Sequence, residues 1–405
     1  MPILIFSHAH YIQFLLCPVF FSTGLSFTNT YIASHLHSVH FIRSKDNAAV
    51  ALQTFFSSKE PDILTQGIRK LVSNLIMKCN FSCIFLVTFL FLHEKVTLVT
   101  CSKGDSSWIF QRCLSGCLHK NCTNMKVFAS RQPLSLKLTG WHCEDECKYT
   151  CMWYTVDAFQ RDSQKIPQFY GKWPFVRFFG IQEPASAIFS LFNALTHMMI
   201  FKFRARVPSV APMYYVWHSM AVISAHAWFW SLAFHTRDTA FTEMMDYFCA
   251  FSLILFNLFL FFCRVVGTQH YIVLSALFIG LLSFCVRHFY YMAYVKFDYT
   301  YNVYICSCIG FLQSMFWGVW CYIKRREQYY VWKCVVVLCL TNVLLCLELG
   351  DFPPLLWIVD AHALWHLGTV PLAILWYSFL IDDTLYLLKK TKLQGIIIPN
   401  PMETS

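Results

Sequence analysis

Apolar and polar residues along this chain are segregated into long blocks. From residue 184 onward seven apolar stretches follow one another, near 184–203, 213–234, 242–263, 270–290, 301–323, 331–349 and 355–380. Each approaches the roughly 20 residues that an α-helix needs to cross the hydrocarbon core of a bilayer. The pattern therefore predicts an all-α polytopic membrane protein, with seven transmembrane helices over 184–380 and a tail over 381–405. Residues 101–183 are polar, aromatic and rich in cysteine. Upstream, Met77 and Lys78 precede a ten-residue apolar run, Cys83–Leu92. A basic n-region followed by an apolar h-region is the layout of a secretory signal peptide, here over 77–100. An uncleaved signal anchor is the alternative. Residues 1–76 are mixed in polarity, and their run FLLCPVFF is too short to span a membrane. The histidines of SHAHY and SHLHSVH read as part of a scattered leader, and 1–76 as an atypical extension absent from the mature protein.

Composition sharpens the class. The chain is 57% hydrophobic and only 13% charged, against about 25% charged in an average soluble domain. The net charge of +10 does not point to nucleic acid, because Lys and Arg collect at the ends of the apolar stretches. Lys202, Arg204, Arg206, Arg264, Lys324, Arg325, Arg326, Lys389, Lys390 and Lys392 fall on one side. Arg237, Arg287 and Lys296 fall on the other, with acids beside them. By the positive-inside rule the first side is cytosolic. The cysteine-rich region is then lumenal and the C-terminus cytosolic.

Six cysteines, Cys113, Cys117, Cys122, Cys143, Cys147 and Cys151, lie in the polar region. Their C-x-x-x-C spacings differ from the C-x-x-C of zinc knuckles, and behind a signal sequence disulfides are the better reading. The spacing suits two short helices stapled face to face, with connectivity left open. Asn121-Cys122-Thr123 is a candidate glycosylation sequon.

The candidate chemistry lies in two strings. SLAFHTRDTAFTEMMD places Ser231 and His235 four residues apart, then Asp246 after a polar bend. DAHALWH places His362 and His366 four residues apart in the last apolar stretch. Residues at i and i+4 share one helix face. Three imidazoles with one open position are the ligand set of a catalytic zinc site, and ionisable groups inside a membrane are functional suspects by default. Two core or interfacial histidines are the plainer reading of His362 and His366. His197, His218 and His226 read as structural. Asp360 is either a group that orients an imidazole or a solvated carboxylate. Arg237 and Asp238 read as a solvated turn.

The arrangement resembles the membrane-hydrolase superfamily of alkaline ceramidases and adiponectin-type receptors. TGWHCEDECKYTCMW, QFYGKWPF, FHTRD, MDYFCA and DFPPLLWIVDAHALWH closely resemble the post-GPI attachment to proteins factor 3 family, over about residues 108–390. The resemblance implies a metal-dependent hydrolase in the Golgi or endoplasmic reticulum membrane, with Zn2+ as cofactor. It implies removal of the sn-2 acyl chain from GPI-anchored proteins, with membrane lipids as the other partners. His235, His362 and His366 would be the metal ligands. Asp246 would activate the attacking water as general base, and Ser231 would support the developing oxyanion or simply bond its own helix. A ceramidase-like amide hydrolase is the nearest alternative, because a fold does not choose ester over amide. A non-catalytic seven-helix receptor or lipid-binding scaffold is another. A transporter is disfavoured by the lack of paired discontinuous helices.

The signal-like pattern makes one prediction. N-terminal sequencing of the mature protein should find its start between about residues 93 and 105; a mature chain that keeps residues 1–76 contradicts it.

Overall fold

The computed structural model describes residues 102–393, and over them the chain is all-helical. The extension, the signal peptide and the tail beyond Gly395 lie outside the described residues. Among the described residues four helices come first: α1 (Trp108–Asn121), α2 (Met125–Arg131), α3 (Leu134–Leu138) and α4 (Cys143–Arg161). Ser107 opens α1 by accepting from the Phe110 N–H, a side-chain cap for an otherwise orphaned donor. Glu144, Asp145 and Glu146 fill the first turn of α4, where the helix dipole favours acids.

Disulfides Cys113–Cys151, Cys117–Cys147 and Cys122–Cys143 join α1 and the loop after it to α4. Ascending positions on one helix pair with descending positions on the other, so the two run antiparallel. The six polar-region cysteines thus pair as expected, face to face. Phe110, Cys151, Val156 and Phe169 form the small core beneath them, and Trp357 packs against it from near the other end of the chain.

Eight helices follow: α5 (Pro184–Thr196), α6 (Met199–Arg206), α7 (Tyr214–Thr236), α8 (Ala240–Val266), α9 (Tyr271–Tyr290, extended by a π turn at Tyr291–Val295), α10 (Tyr299–Lys324), α11 (Val331–Gly350) and α12 (Ala361–Leu393). Helices α5, α7, α8, α10, α11 and α12 pack in a closed circuit, each against the next, and α9 lies against α8. Among the described residues, five stretches are long and apolar enough to cross a membrane: Pro184–Arg206, Ala240–Val266, Tyr271–Val295, Tyr299–Lys324 and Ala361–Leu393. A chain with several such helices is a multi-pass membrane protein. Length and composition give this count as five, where the apolar pattern predicts seven. Helix α7 has 23 residues but carries His218, His226, His235, Ser219, Ser224 and Ser231. Helix α11 carries Lys333, Thr341 and Asn342 within its apolar stretch.

The last apolar stretch is also shifted. The pattern begins it at 355, but residues 351–360 are irregular, with Leu356 and Trp357 at positive φ. Asp360 then caps α12 by accepting from the Ala363 N–H at 2.8 Å. The helix runs on to Leu393, into the segment assigned to the tail.

The cysteine-rich region docks on one end of the circuit through Trp141. Its indole lies between the guanidinium groups of Arg177 and Arg237, at 4.1 and 3.9 Å from the ring centre. The indole N–H donates to the Gly180 carbonyl at 2.8 Å. Arg177 also donates to Glu146 at 2.6 Å, and Arg237 to Asp145 at 2.7 Å. Both acids lie in the first turn of α4, so the Cys122–Cys143 bond at the head of that helix fixes where they stand.

Cys143→Ser should therefore destabilise the region by about 2–5 kcal/mol. Thermal unfolding of the purified protein, with free thiols counted before and after reduction, measures this; an unshifted midpoint contradicts it.

Candidate functional site

Three elements build the site at the docked end. Helix α7 ends at Thr236 and brings His235 in its last turn. Helix α12 begins at Ala361 and brings His362 and His366 on one face of its first turns. Helix α5 lies between, and buries Ala185, Ser186, Ala187, Ser190 and Asn193. Small side chains let helices approach closely in a membrane.

The three histidines converge. His235 Nε2 lies 3.3 Å from His362 Nε2 and 3.2 Å from His366 Nε2, and the latter two nitrogens are 2.8 Å apart. His235 and His366 are each 2% exposed, and His362 is half-buried. Tetrahedral nitrogen ligands at about 2.0–2.1 Å from one ion stand about 3.3 Å from each other. The donor atoms thus fit a metal ion: three imidazoles of the right type, at nearly the right mutual distance. Trp228 and Trp365 pack their rings against His366 at 5.2 and 4.9 Å between centres, giving the cluster an apolar wall. Cys122, Cys143 and Cys147 also lie close together, but each is in a disulfide and offers no thiolate.

The sequence does not single out the group that orients His235. Glu183 Oε2 accepts from His235 Nδ1 at 2.7 Å. A carboxylate can only accept there, so the Nδ1 proton is fixed and the Nε2 lone pair faces the cluster. The Glu183 N–H bonds the His235 carbonyl at 3.0 Å, and the Gln182 N–H bonds the Thr236 carbonyl at 3.0 Å. The start of α5 thereby satisfies the end of α7. Lys172 Nζ lies 2.9 Å from Glu183 Oε1 and 2.8 Å from Asp238 Oδ2. Burial opposes the charge on both partners, but attraction outweighs it: Lys172 and His235 hold the Glu183 carboxyl well below the usual range, and Glu183 and Asp238 raise Lys172. Glu183 stands just before the proline that opens an apolar stretch, and only its buried neighbours reveal its role.

Ser231 is buried and its Oγ lies 3.1 Å from Ser190 Oγ. Asn193 Nδ2 donates to the His366 carbonyl at 2.8 Å, and Thr369 bonds the same carbonyl. Asp246 is half-buried in the second turn of α8 and interacts electrostatically with His235, His362 and Lys172. It stands outside the group of nitrogens that could share one ion. Elsewhere, His226 accepts from Trp230 Nε1 at 3.1 Å, His218 bonds the Tyr214 carbonyl, and His197 meets the Tyr377 hydroxyl. None of these three joins the cluster. Arg237 and Asp238, read in sequence as a solvated turn, are instead tied to Asp145, Trp141 and Lys172. Asp360 caps its own helix.

The Per1-like family model matches residues 133–384, which include every residue of the cluster. The chain is 46% identical over 310 residues to the Xenopus laevis protein named GPI-specific phospholipase A2-like PGAP3, covering 75% of this chain and 96% of that one. It is 46% identical over 298 residues to the Homo sapiens protein of that name, covering 73% and 93%. The Drosophila melanogaster post-GPI attachment to proteins factor 3 is 40% identical over 297 residues, covering 71% and 91%. No solved structure matches the chain. With the family model spanning most of the chain and these relatives covered almost end to end, the chain belongs to the Per1-like family.

Proposed function

We propose that this protein is a metal-dependent lipid hydrolase that remodels GPI anchors by cleaving the sn-2 acyl ester of GPI-anchored proteins. The observation that carries the reading is the convergence of His235, His362 and His366 Nε2 within 3.3 Å of one another. Support for the substrate comes from relatives called GPI-specific phospholipase A2-like. The three histidines would hold zinc, whose donor preference and open fourth position suit such a set. Bound zinc supplies an acidic water and polarises an ester carbonyl.

The chain's own residues then have separate tasks. Asp246 takes the proton of the attacking water as general base. The Ser231 hydroxyl donates to the oxygen that gains charge in the transition state, with Ser190 holding it in place. Glu183 fixes the His235 ring. Trp228 and Trp365 exclude water, which strengthens each of these polar contacts. The closed packing circuit includes α7 and α11, which supports a reading in which both also cross the membrane, for seven spans in all. The cationic residues at the far end support a reading in which that end is cytosolic. The cysteine-rich region and the cluster then face the lumen of the Golgi or endoplasmic reticulum.

His366→Ala should abolish both zinc binding and acyl release, because two imidazoles are an incomplete set. Bound metal is read by elemental analysis of the purified protein, and acyl release by mass spectrometry of a GPI-anchored reporter. A His366→Ala protein with stoichiometric metal and normal cleavage contradicts the proposal. Asp246→Asn should keep its metal while turnover falls by about 10²–10⁴-fold. Ser231→Ala should lose at most about 10²–10³-fold. His226→Ala, whose ring bonds Trp230 away from the cluster, should match the parent in both assays.

A further inference from the structure

We propose that Lys172 is a positioning residue of the metal centre, through which docking of the cysteine-rich region sets the affinity of the histidine cluster. The proposal rests on the metal reading above. Lys172 touches none of the three clustered nitrogens. It acts through Glu183, whose two oxygens are both committed: Oε1 to Lys172 at 2.9 Å and Oε2 to His235 Nδ1 at 2.7 Å. A carboxylate held at both oxygens cannot swing about its last bond. The imidazole bonded to it is then fixed in tautomer and in ring plane. Without the ammonium group, Glu183 keeps one polar partner and a free rotation. Lys172 also bonds Asp238 at 2.8 Å and covers the Phe234 ring at 4.1 Å. One cation thus pins the residues on both sides of His235 as well as the carboxylate behind it.

Lys172 is itself placed by the cysteine-rich region. It lies outside every helix, on the strap between α4 and α5. Phe169 and Lys172 exchange both backbone hydrogen bonds, at 2.7 and 2.9 Å. The tip of that turn, Gly171, has φ +82°, and its N–H donates to Ser102 Oγ at 2.7 Å. The Tyr170 N–H donates to Asp105 Oδ1 at 2.8 Å. A Cβ at Gly104 would lie 2.5 Å from the Gln168 carbonyl oxygen, so glycine there lets the two segments lie in contact. On the far side, Trp173 and Gln168 both donate to Asp351, at 2.6 and 3.0 Å, in the loop that leads to His362 and His366. The strap, itself the last part of the cysteine-rich region, therefore joins the start of that region to the end of α7 and the approach to α12.

The test compares the full-length protein with K172M, K172R and E183Q in detergent. Zinc affinity is measured by competition with a chromophoric chelator, and the thermal midpoint of each metal-free protein is measured alongside. K172M should weaken zinc binding about 10–100-fold, the usual effect of losing a group that orients a ligand. K172R should restore most of that loss, and E183Q should lose at least as much as K172M. A K172M protein that binds zinc as tightly as its parent overturns the proposal, even if its midpoint falls, since that would be a purely structural role. K172R as weak as K172M also overturns it. A parent protein that binds no zinc, with His366→Ala indistinguishable from it, overturns the metal reading itself.

Discussion

Three imidazole nitrogens can meet at one point only if the end of α7 and the start of α12 are held side by side. Helix α5 supplies that constraint. Its buried face is made of alanine, serine and asparagine, so both neighbours come close to its backbone. Its polar members bond each neighbour in turn: Ser190 to Ser231 on α7, Asn193 to the His366 carbonyl on α12. The residue before the helix, Glu183, bonds His235 directly. In hydrocarbon, apolar contact gives helices little reason to prefer one partner over lipid. Close packing and these few hydrogen bonds set the register instead. The site depends on α5 although α5 contributes none of the three imidazoles.

The rest of the His-bearing end is organised around charge. Arg177, Arg237, Lys172, Glu146, Asp145, Glu183 and Asp238 lie within one small volume, and each has a partner of opposite sign. These pairs are partly open to water, so removing one member costs less than the about 3–5 kcal/mol of a fully buried pair. The opposite end of the circuit follows the same rule with fewer groups. There Asp383 is fully buried, and accepts from Arg264 and from the Tyr330 hydroxyl.

Much of this was legible in the sequence, and the gaps have physical causes. The i, i+4 spacing of Ser231 with His235 and of His362 with His366 displays two helix faces. Nothing local says that these faces meet, because 127 residues separate His235 from His362; only the family resemblance supplied that. The apolar blocks located the helices, yet the histidines and serines that make α7 chemically interesting also lower its hydropathy. The boundary before α12 was misplaced because Phe352, Pro353, Pro354, Leu355 and Leu356 are apolar without being helical. Lys172 was hidden for a different reason. Irregular backbone has no period, so a residue on a strap carries no sign of which face it presents.

The disulfide ladder has a consequence for how the chain reaches this state. Cys113, Cys117 and Cys122 meet Cys151, Cys147 and Cys143 in order. The near-equal spacing permits a slipped isomer, in which Cys113 takes Cys147, Cys117 takes Cys143, and two thiols are left over. Such a slip displaces α4 by four residues, about 6 Å along its axis. Asp145 and Glu146 would then miss Arg237 and Arg177, and Trp141 would lose the slot between the two guanidinium groups. The docking contacts on the helix bundle thus fit this disulfide register and not the slipped one. Correct disulfide register in the polar region and its docking on the membrane helices are therefore coupled through Asp145, Glu146 and Trp141.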